Sequence, residues 1–381
     1  MTKESFKVAV IKGDGIGVDV TDAALAVIDA AARAVGGFSL SYRQIMSGAG
    51  YFRETGSDIE AGGEEAAGTA DAIFLGAIGL PSVRHPDGTE IAPHLRLRDR
   101  YQLYAGVRPV KAYPNSPQRL ADPRARHIDL VILRESTEGL FYSAAVHGRG
   151  EVIGDEEVRD VLSITRATTE KLHRFGFRLA RKRKARGSRG RLTCVDKANV
   201  FRSMAFFRKI YDEIATEFSD IETGYSYVDA QALDLIRRPW EADVLVMENM
   251  FGDILSDLAG ALVGGMGMAA CAEIGDTIGL FQPAHGSAPD IMGQDRANPL
   301  AAILSGGLML DYLADISGNT ALADAAQRIE DAVHEGFTAH RIRPMEFGGD
   351  MGTRAVAEEV VSTLATPAAG RRPSGGRTDR P

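Results

Sequence analysis

The chain has 381 residues, enough for two domains or one large α/β unit, and its 44% hydrophobic and 25% charged content is that of a globular protein. A net charge of -8 argues against general nucleic-acid binding, and two cysteines, Cys194 and Cys271, make neither a disulfide framework nor a zinc pattern. The polar start, residues 1–7, leads straight into a strand-like run, so no signal peptide is expected. With no apolar run judged long enough for a membrane, the reading is a cytoplasmic protein with buried free thiols.

Phe6 to Ile11 reads as a strand, followed by Gly13-Asp14-Gly15-Ile16-Gly17 and a stretch, Val18 to Ala34, apolar at helical spacing. Strand, glycine turn and helix invite a dinucleotide-binding reading. The fingerprint fails, because Val18 stands where G-x-G-x-x-G needs its last glycine. Ala70 to Gly79 is a second buried strand running into a glycine loop. A helix is predicted to start near Pro93, with His94, Leu95 and Arg98 on one face. Tyr104 to Val110 carries Arg108, and the strand Ile128 to Leu133 ends in Arg134-Glu135. That end of an open α/β sheet is where ligands collect. Arg98, Arg108 and Arg134 are therefore a candidate set, since guanidinium forks suit carboxylates and three suit a di- or tricarboxylate. Surface ion pairs are the commoner fate of arginine, and spacing alone does not bring the three together.

Val158 to Arg181 reads as an amphipathic helix ending in a basic run, Arg181 to Arg191. That run lacks interleaved aromatics and is read as a solvated helix end and loop rather than a nucleic-acid patch. Leu192 to Val195 is a strand leading to Asp196-Lys197-Ala198-Asn199-Val200, and Tyr225 to Asp229 ends in another acid. Asp243 to Met247 is a buried strand, and Glu248 to Leu258 follows it. Asp253 and Asp257 stand four apart, one above the other on a helix, where like charges repel. Mg²⁺ or Mn²⁺ would reverse the sign by taking carboxylate oxygens. Ile254, Leu255 and Leu258 are the expected packed face; the alternative is a solvated acidic face with Gly252 as a turn. His285 to Asp290 is a polar loop, Asn298-Pro299 caps a helix from Ala301 to Leu313, and Ala321 to Glu335 is a further helix. Residues 366–381 are rich in Pro, Gly, Arg and Ser and are expected to be disordered.

Seven stretches in one order resemble the β-decarboxylating dehydrogenases of the isocitrate/isopropylmalate dehydrogenase family, nearest the 3-isopropylmalate and tartrate/D-malate dehydrogenases. They are Gly13 to Gly17, Val107-Arg108-Pro109, Arg134-Glu135, Val195 to Val200, Tyr227-Val228-Asp229, Asn249 to Asp257 and His285 to Asp290. The resemblance implies an α/β, isopropylmalate dehydrogenase-like fold of two domains sharing a large mixed sheet, distinct from the Rossmann fold. Residues 1–104 with 264–365 would form the first, cofactor-side domain and 105–263 the second, with 366–381 as a tail.

The resemblance also implies NAD- and Mg²⁺- or Mn²⁺-dependent oxidative decarboxylation of a C3-substituted (R)-malate by an obligate homodimer with shared active sites. Asp253 and Asp257 would hold the metal with Asp229 of a second chain. Lys197, also of the second chain, would act with Asp229 as the catalytic pair. Arg98, Arg108 and Arg134 match the substrate clamp, and His94 and Leu95 face the C3 substituent. His285, Gly286, Ser287, Ala288, Asp290 and Asn298 match the cofactor side, with Asp290 accepting the ribose hydroxyls and repelling a 2′-phosphate. His94 and Leu95 stand where isopropylmalate enzymes have two leucines, and Ala92 at the serine-type position of isocitrate enzymes. Isopropylmalate-like, tartrate/D-malate and isocitrate/homoisocitrate activities therefore stay open. The family's proton-donating tyrosine is matched by Phe141, with Tyr142 next. A loop shifted by one, protonation by water, or a physiological reaction without decarboxylation all fit that departure, which also supports a catalytically weakened regulatory homologue.

Overall fold

Apolar runs covered on both faces are what the inner strands of an α/β sheet require, and here ten strands line up in one mixed sheet. The computed structural model describes residues 3–86, 88–141, 148 and 150–365; Tyr142 and the 366–381 tail lie outside them. The strands are β1 (Ser5–Gly13), β2 (Ser39–Gln44), β3 (Ala72–Ala77), β4 (Ala105–Lys111), β5 (Asp129–Glu135), β8 (Arg191–Asp196), β9 (Glu222–Tyr227), β10 (Val244–Met247), β11 (Ala270–Ile274) and β12 (Gly279–Pro283). Their order is β2-β1-β3-β12-β11-β4-β5-β10-β8-β9. Pairing is antiparallel where β12, β11, β4 and β5 adjoin, and parallel on both flanks. A separate antiparallel ribbon joins β6 (Gly150–Ile153) and β7 (Glu157–Asp160).

The helices are α1 (Ile16–Val35), α2 (Ala49–Thr55), α3 (Gly63–Gly68), α4 (Pro93–Arg100), α5 (Arg166–Ala185), α6 (Arg202–Ala215), α7 (Val228–Arg237), α8 (Asn249–Leu262), α9 (Leu300–Ser317), α10 (Thr320–Thr338) and α11 (Thr353–Ala365). One apolar cluster runs from Phe6, Val20 and Phe74 through Ile303 and Leu310 to Phe177, Phe207 and Tyr211. The apolar side chains of α8 belong to a second cluster with Ile132 and Leu245.

Four expectations need correction. Val158 to Asp160 belongs to the ribbon, and the helix starts only at Arg166, where Thr165 caps it by accepting from Thr168 N. Ile254 is 60% exposed, so α8 packs through Leu255, Ala259 and Leu262 instead. Helix α9 is long and apolar enough to cross a membrane by length and composition, yet 67% of it is buried, which is the pattern of a core helix. The basic run is also ion-paired rather than merely solvated. Arg181 meets Asp220, Lys182 meets Asp311 and Asp315, Arg183 meets Asp243, and Arg186 meets Asp311. Cys194 and Cys271 are buried free thiols as expected.

The glycine motif after β1 is a packing device. A Cβ on Gly17 would lie 2.5 Å from Ala77 N, and one on Gly76 would lie 2.4 Å from Gly17 O, so α1 starts directly against β3. Asp14, buried between them, accepts from Ala49 N (2.8 Å), Gly50 N (2.7 Å) and Gly79 N (2.8 Å). Ile16 N donates to Ser287 O at 2.7 Å, which ties the 285–290 loop to the same corner. Each orphaned buried donor costs about 1–3 kcal/mol. Asp14→Ala should therefore lower the unfolding free energy by about 2 kcal/mol or more in a denaturant titration, with Asp14→Asn intermediate. A loss under ~0.5 kcal/mol, the range of surface substitutions, would refute this role.

Glu135 ends β5 with its carboxylate folded back on the following turn, accepting from Thr137 N (2.6 Å), Thr137 Oγ1 (2.8 Å) and Glu138 N (2.7 Å). Burial pushes its carboxyl up to about 7, against those hydrogen bonds. The folded state thus holds this proton more tightly than the unfolded chain. Its contribution to stability is complete below the ordinary pKa of about 4.5 and is lost as pH rises through about 7. Between those limits the loss is on the order of 3 kcal/mol. Glu135→Gln, which cannot titrate, should flatten that slope in unfolding free energies measured from pH 4.5 to 7.5; parallel profiles would contradict the assignment.

Candidate active site

The site is built where α8 meets the C-terminal end of β5 and the antiparallel β4 beside it. Glu248 caps α8, its carboxylate accepting from Met250 N (3.1 Å) and Phe251 N (3.3 Å). Gly252 then allows close approach: a Cβ there would lie 2.6 Å from Arg134 Cβ and Cγ. It is an interior helix residue, not the turn of the alternative reading. With the helix pressed on β5, Asn249 Oδ1 accepts from Arg134 Nε (3.0 Å) and Nη2 (2.6 Å). Arg134 Nη1 reaches Asp253. Arg108, from β4, donates through Nη1 to Ser256 Oγ at 2.6 Å, and lies 3.7 Å from Asp253 Oδ1 and 3.6 Å from Asp257 Oδ1. Arg98, from α4, pairs with Glu273 of β11 at 3.1 Å.

The predicted arginine set is thus assembled, and it is buried: Arg98, Arg108 and Arg134 are 6%, 8% and 4% exposed. Burial, with Arg108 nearby, lowers the Arg134 pKa against the pull of Asp253. Arg108 Nε is buried with no acceptor. Buried cations with an unused donor favour an incoming anion. The two aspartates share one face of α8 as predicted. Burial raises the Asp257 carboxyl, Arg108 lowers it, and Asp253 raises it further. Two carboxylates one helical turn apart, at the mouth of an arginine-lined site, are a hard-oxygen donor set that fits a divalent ion.

Lys197 follows β8, and Asp229 lies in the first turn of α7; they pair at 2.6 Å. Lys197 lowers the Asp229 carboxyl through that hydrogen bond. Asp196, fully buried, holds the turn by accepting from Ala198 N (2.8 Å) and from Arg208 Nε and Nη2 (2.7 and 2.8 Å). Among the described residues of one chain, no three His, Cys, Asp or Glu side chains are grouped as metal ligands, so Asp229 does not join Asp253 and Asp257 within the chain.

His94 and Leu95 share α4 with Arg98, both half-buried. Burial, aided by Arg98, pushes His94 down to about 3, and its Nδ1 is buried without a partner. In the 285–290 loop, His285 Nδ1 lies 2.9 Å from Gly286 O while Nε2 is buried and unpartnered. Gly286 faces open space, Ser287 Oγ donates to Gly79 O, and Ala288 has φ +35°. Asp290 is exposed at the start of a short 3-10 turn. An unsatisfied ring nitrogen beside open backbone and an exposed carboxylate fit a nucleoside. Asn298 does more than cap α9: Oδ1 accepts from Leu300 N (3.2 Å), and Nδ2 donates to Glu346 at 2.9 Å.

Asn249 and Ser256 were read only as part of the Asn249 to Asp257 motif, without a role of their own, and Glu273 escaped the sequence reading. The first two lie inside the acidic stretch, where spacing from Asp253 was a usable signal. Glu273 was signalled only by being a lone charge in an apolar strand.

The isocitrate/isopropylmalate dehydrogenase family model matches residues 7–363. A 3-isopropylmalate dehydrogenase of Carboxydothermus hydrogenoformans is 37% identical, over 94% of this chain and 96% of its own. A 3-isopropylmalate/3-methylmalate dehydrogenase of Methanocaldococcus jannaschii is 38% identical, over 94% and 98%. The crystal structure of isocitrate dehydrogenase from Methylococcus capsulatus superposes with TM-score 0.80 at 33% identity, covering 95% of this chain and all of that one. That of a β-decarboxylating dehydrogenase from Thermococcus kodakarensis gives 0.75 at 36% identity, covering 94% and 96%. With this fold and this match along nearly its whole length, the chain belongs to the isocitrate/isopropylmalate dehydrogenase family.

Proposed function

We propose that the protein catalyses NAD- and divalent-metal-dependent oxidative decarboxylation of a C3-substituted (R)-malate, with 3-isopropylmalate-like substrates the best fit. The observation that carries this is the meeting of two buried arginines, Arg108 and Arg134, with two carboxylates of one helix, beside a third buried arginine, Arg98. Leu95 beside His94, which is held neutral, favours an uncharged C3 substituent. Asp253 and Asp257 would hold the ion, with Asp229 of a second chain. The 285–290 loop and Asn298 would hold NAD, and Asp290 disfavours a 2′-phosphate by like-charge repulsion. When bound, the ion supplies Lewis-acid polarisation of the C1 carboxylate and C2 hydroxyl, and NAD supplies the hydride acceptor.

The protein's part is orientation and proton handling. Arg98, Arg108 and Arg134 grip the two carboxylates and fix the C2–C3 bond. Lys197, positioned by Asp229, takes the C2 hydroxyl proton as general base. Oxidation at C2 places a ketone β to the departing carboxylate, so loss of CO₂ leaves a carbon that needs a proton. Phe141 cannot give one. Its ring packs 5.2 Å from the Arg134 guanidinium, so it serves as a cation–π lid on the clamp. Protonation then falls to water or to Tyr142. A catalytically weakened regulatory subunit is the second reading, favoured by Phe141 alone.

We also propose an obligate homodimer with shared sites, in which residues 105–263 form the dimerising domain and 1–104 with 264–365 the cofactor-side domain, working in the cytoplasm. The ribbon supports a dimer: Val152 and Val158 are 73% and 67% exposed. A panel of 3-isopropylmalate, D-malate, tartrate, isocitrate and homoisocitrate, with NAD⁺ or NADP⁺ and Mn²⁺, decides the activity. The expected outcome is highest kcat/KM with 3-isopropylmalate and NAD⁺, with NADH appearing faster than the decarboxylated ketoacid. Turnover of none of the five would leave the regulatory reading standing.

A further inference from the structure

Glu273 is a charged residue that the chemistry above leaves unused. It lies in the apolar run Ala270-Cys271-Ala272-Glu273-Ile274 and is wholly buried. Sheet register places it in one row across three strands, opposite Gly106 of β4, which is opposite Arg134 of β5. Gly106 makes the row possible. A Cβ there would lie 3.0 Å from Glu273 Oε2 and 2.6 Å from Ser136 Oγ. Glu273 Oε1 meets Arg98 Nη2 at 3.1 Å, and the whole side chain is buried. Burial alone would raise this carboxyl, but Arg98, Arg108 and Arg134 outweigh it and hold it below its ordinary value. An ionised carboxylate therefore backs the arginine clamp.

The charges of the site follow. Three guanidinium groups face three carboxylates, those of Asp253, Asp257 and Glu273. With these side chains balanced, and with Lys197 and Asp229 offsetting each other as an ion pair, a divalent ion's two charges match the two carboxylates of a malate and leave no surplus for a third. We propose that Glu273 is a specificity-determining residue that restricts the site to malates whose C3 substituent carries no negative charge. This rests on the hydroxydicarboxylate reading above. A carboxylate on the C3 substituent, directed towards the helix that carries His94, Leu95 and Arg98, competes with Glu273 for the same guanidinium. Like charges a few ångströms apart disfavour each other by about tenfold or more.

The test is calorimetric binding of 3-isopropylmalate and isocitrate to the full-length protein, with Mg²⁺ and without nicotinamide cofactor. Wild type is expected to favour 3-isopropylmalate by about tenfold or more. Glu273→Gln should shift that ratio by a similar factor towards isocitrate, while the charge-retaining Glu273→Asp keeps it. An unchanged ratio in the folded Gln variant overturns the proposal. Should that variant fail to fold, tighter isocitrate binding by wild type overturns it equally. Binding of both ligands with an unchanged ratio defeats this proposal alone, whereas binding of neither defeats the hydroxydicarboxylate reading with it.

Discussion

The packing of α8 onto the end of β5 is the constraint on which the site depends. Gly252 lets the helix backbone sit against the Arg134 side chain, and no larger residue leaves that space. The same contact brings Asn249 and Asp253 to Arg134, and Ser256 and Asp257 to Arg108. One helix thus supplies anchors for two arginines from two neighbouring strands. Buried guanidinium groups are costly unless their charge is met, and these three repel one another as well. Asp253, Asp257 and Glu273 offset that cost in the resting protein. In the proposed reaction, a cation bound by the aspartates would free guanidinium surface for a substrate carboxylate.

The second organising contact is the corner at Asp14. It ties the end of β1, the loop after β3, the start of α2 and the 285–290 loop through buried backbone donors. The glycines around it serve close packing. This explains why a sequence that looks like a phosphate-binding turn need not be one: Gly13 has φ +72° and Gly15 φ +56°, while Gly17 is small because Ala77 backbone lies against it. The corner thereby sets the loop that carries His285 and Asp290 relative to the sheet.

Much of the fold was legible from the chain. Periodicity located β1, α1, β3, β5, β10 and α8 to within a few residues, since each is strongly apolar or strongly amphipathic. The second ribbon strand was misread from Val158 as the start of a helix, because Val158 is exposed here and so escapes the rule that apolar means packed. Ile254 misled for the same reason. At the site, the arginines and aspartates were found by chemistry, but their meeting was not. Arg98, Arg108, Arg134 and Asp253 come from four elements, and only the strand order and the contact at Gly252 join them. Glu273 was invisible, and Asp14 was read only as part of a glycine turn, for a related reason: their importance lies in what faces them across the fold, which no local spacing encodes.

The central claim is that the α8 aspartates and the arginine clamp form one site in which a divalent ion and a dicarboxylate assist each other. Mn²⁺ affinity measured by electron paramagnetic resonance, with and without saturating 3-isopropylmalate, tests this directly. The account predicts that the dicarboxylate tightens Mn²⁺ binding by about tenfold or more, roughly 1.4 kcal/mol of coupling. It also predicts that Asp253→Asn and Asp257→Asn each abolish this coupling while the fold persists. Mn²⁺ affinity indifferent to the dicarboxylate, or coupling that survives both substitutions, would contradict it.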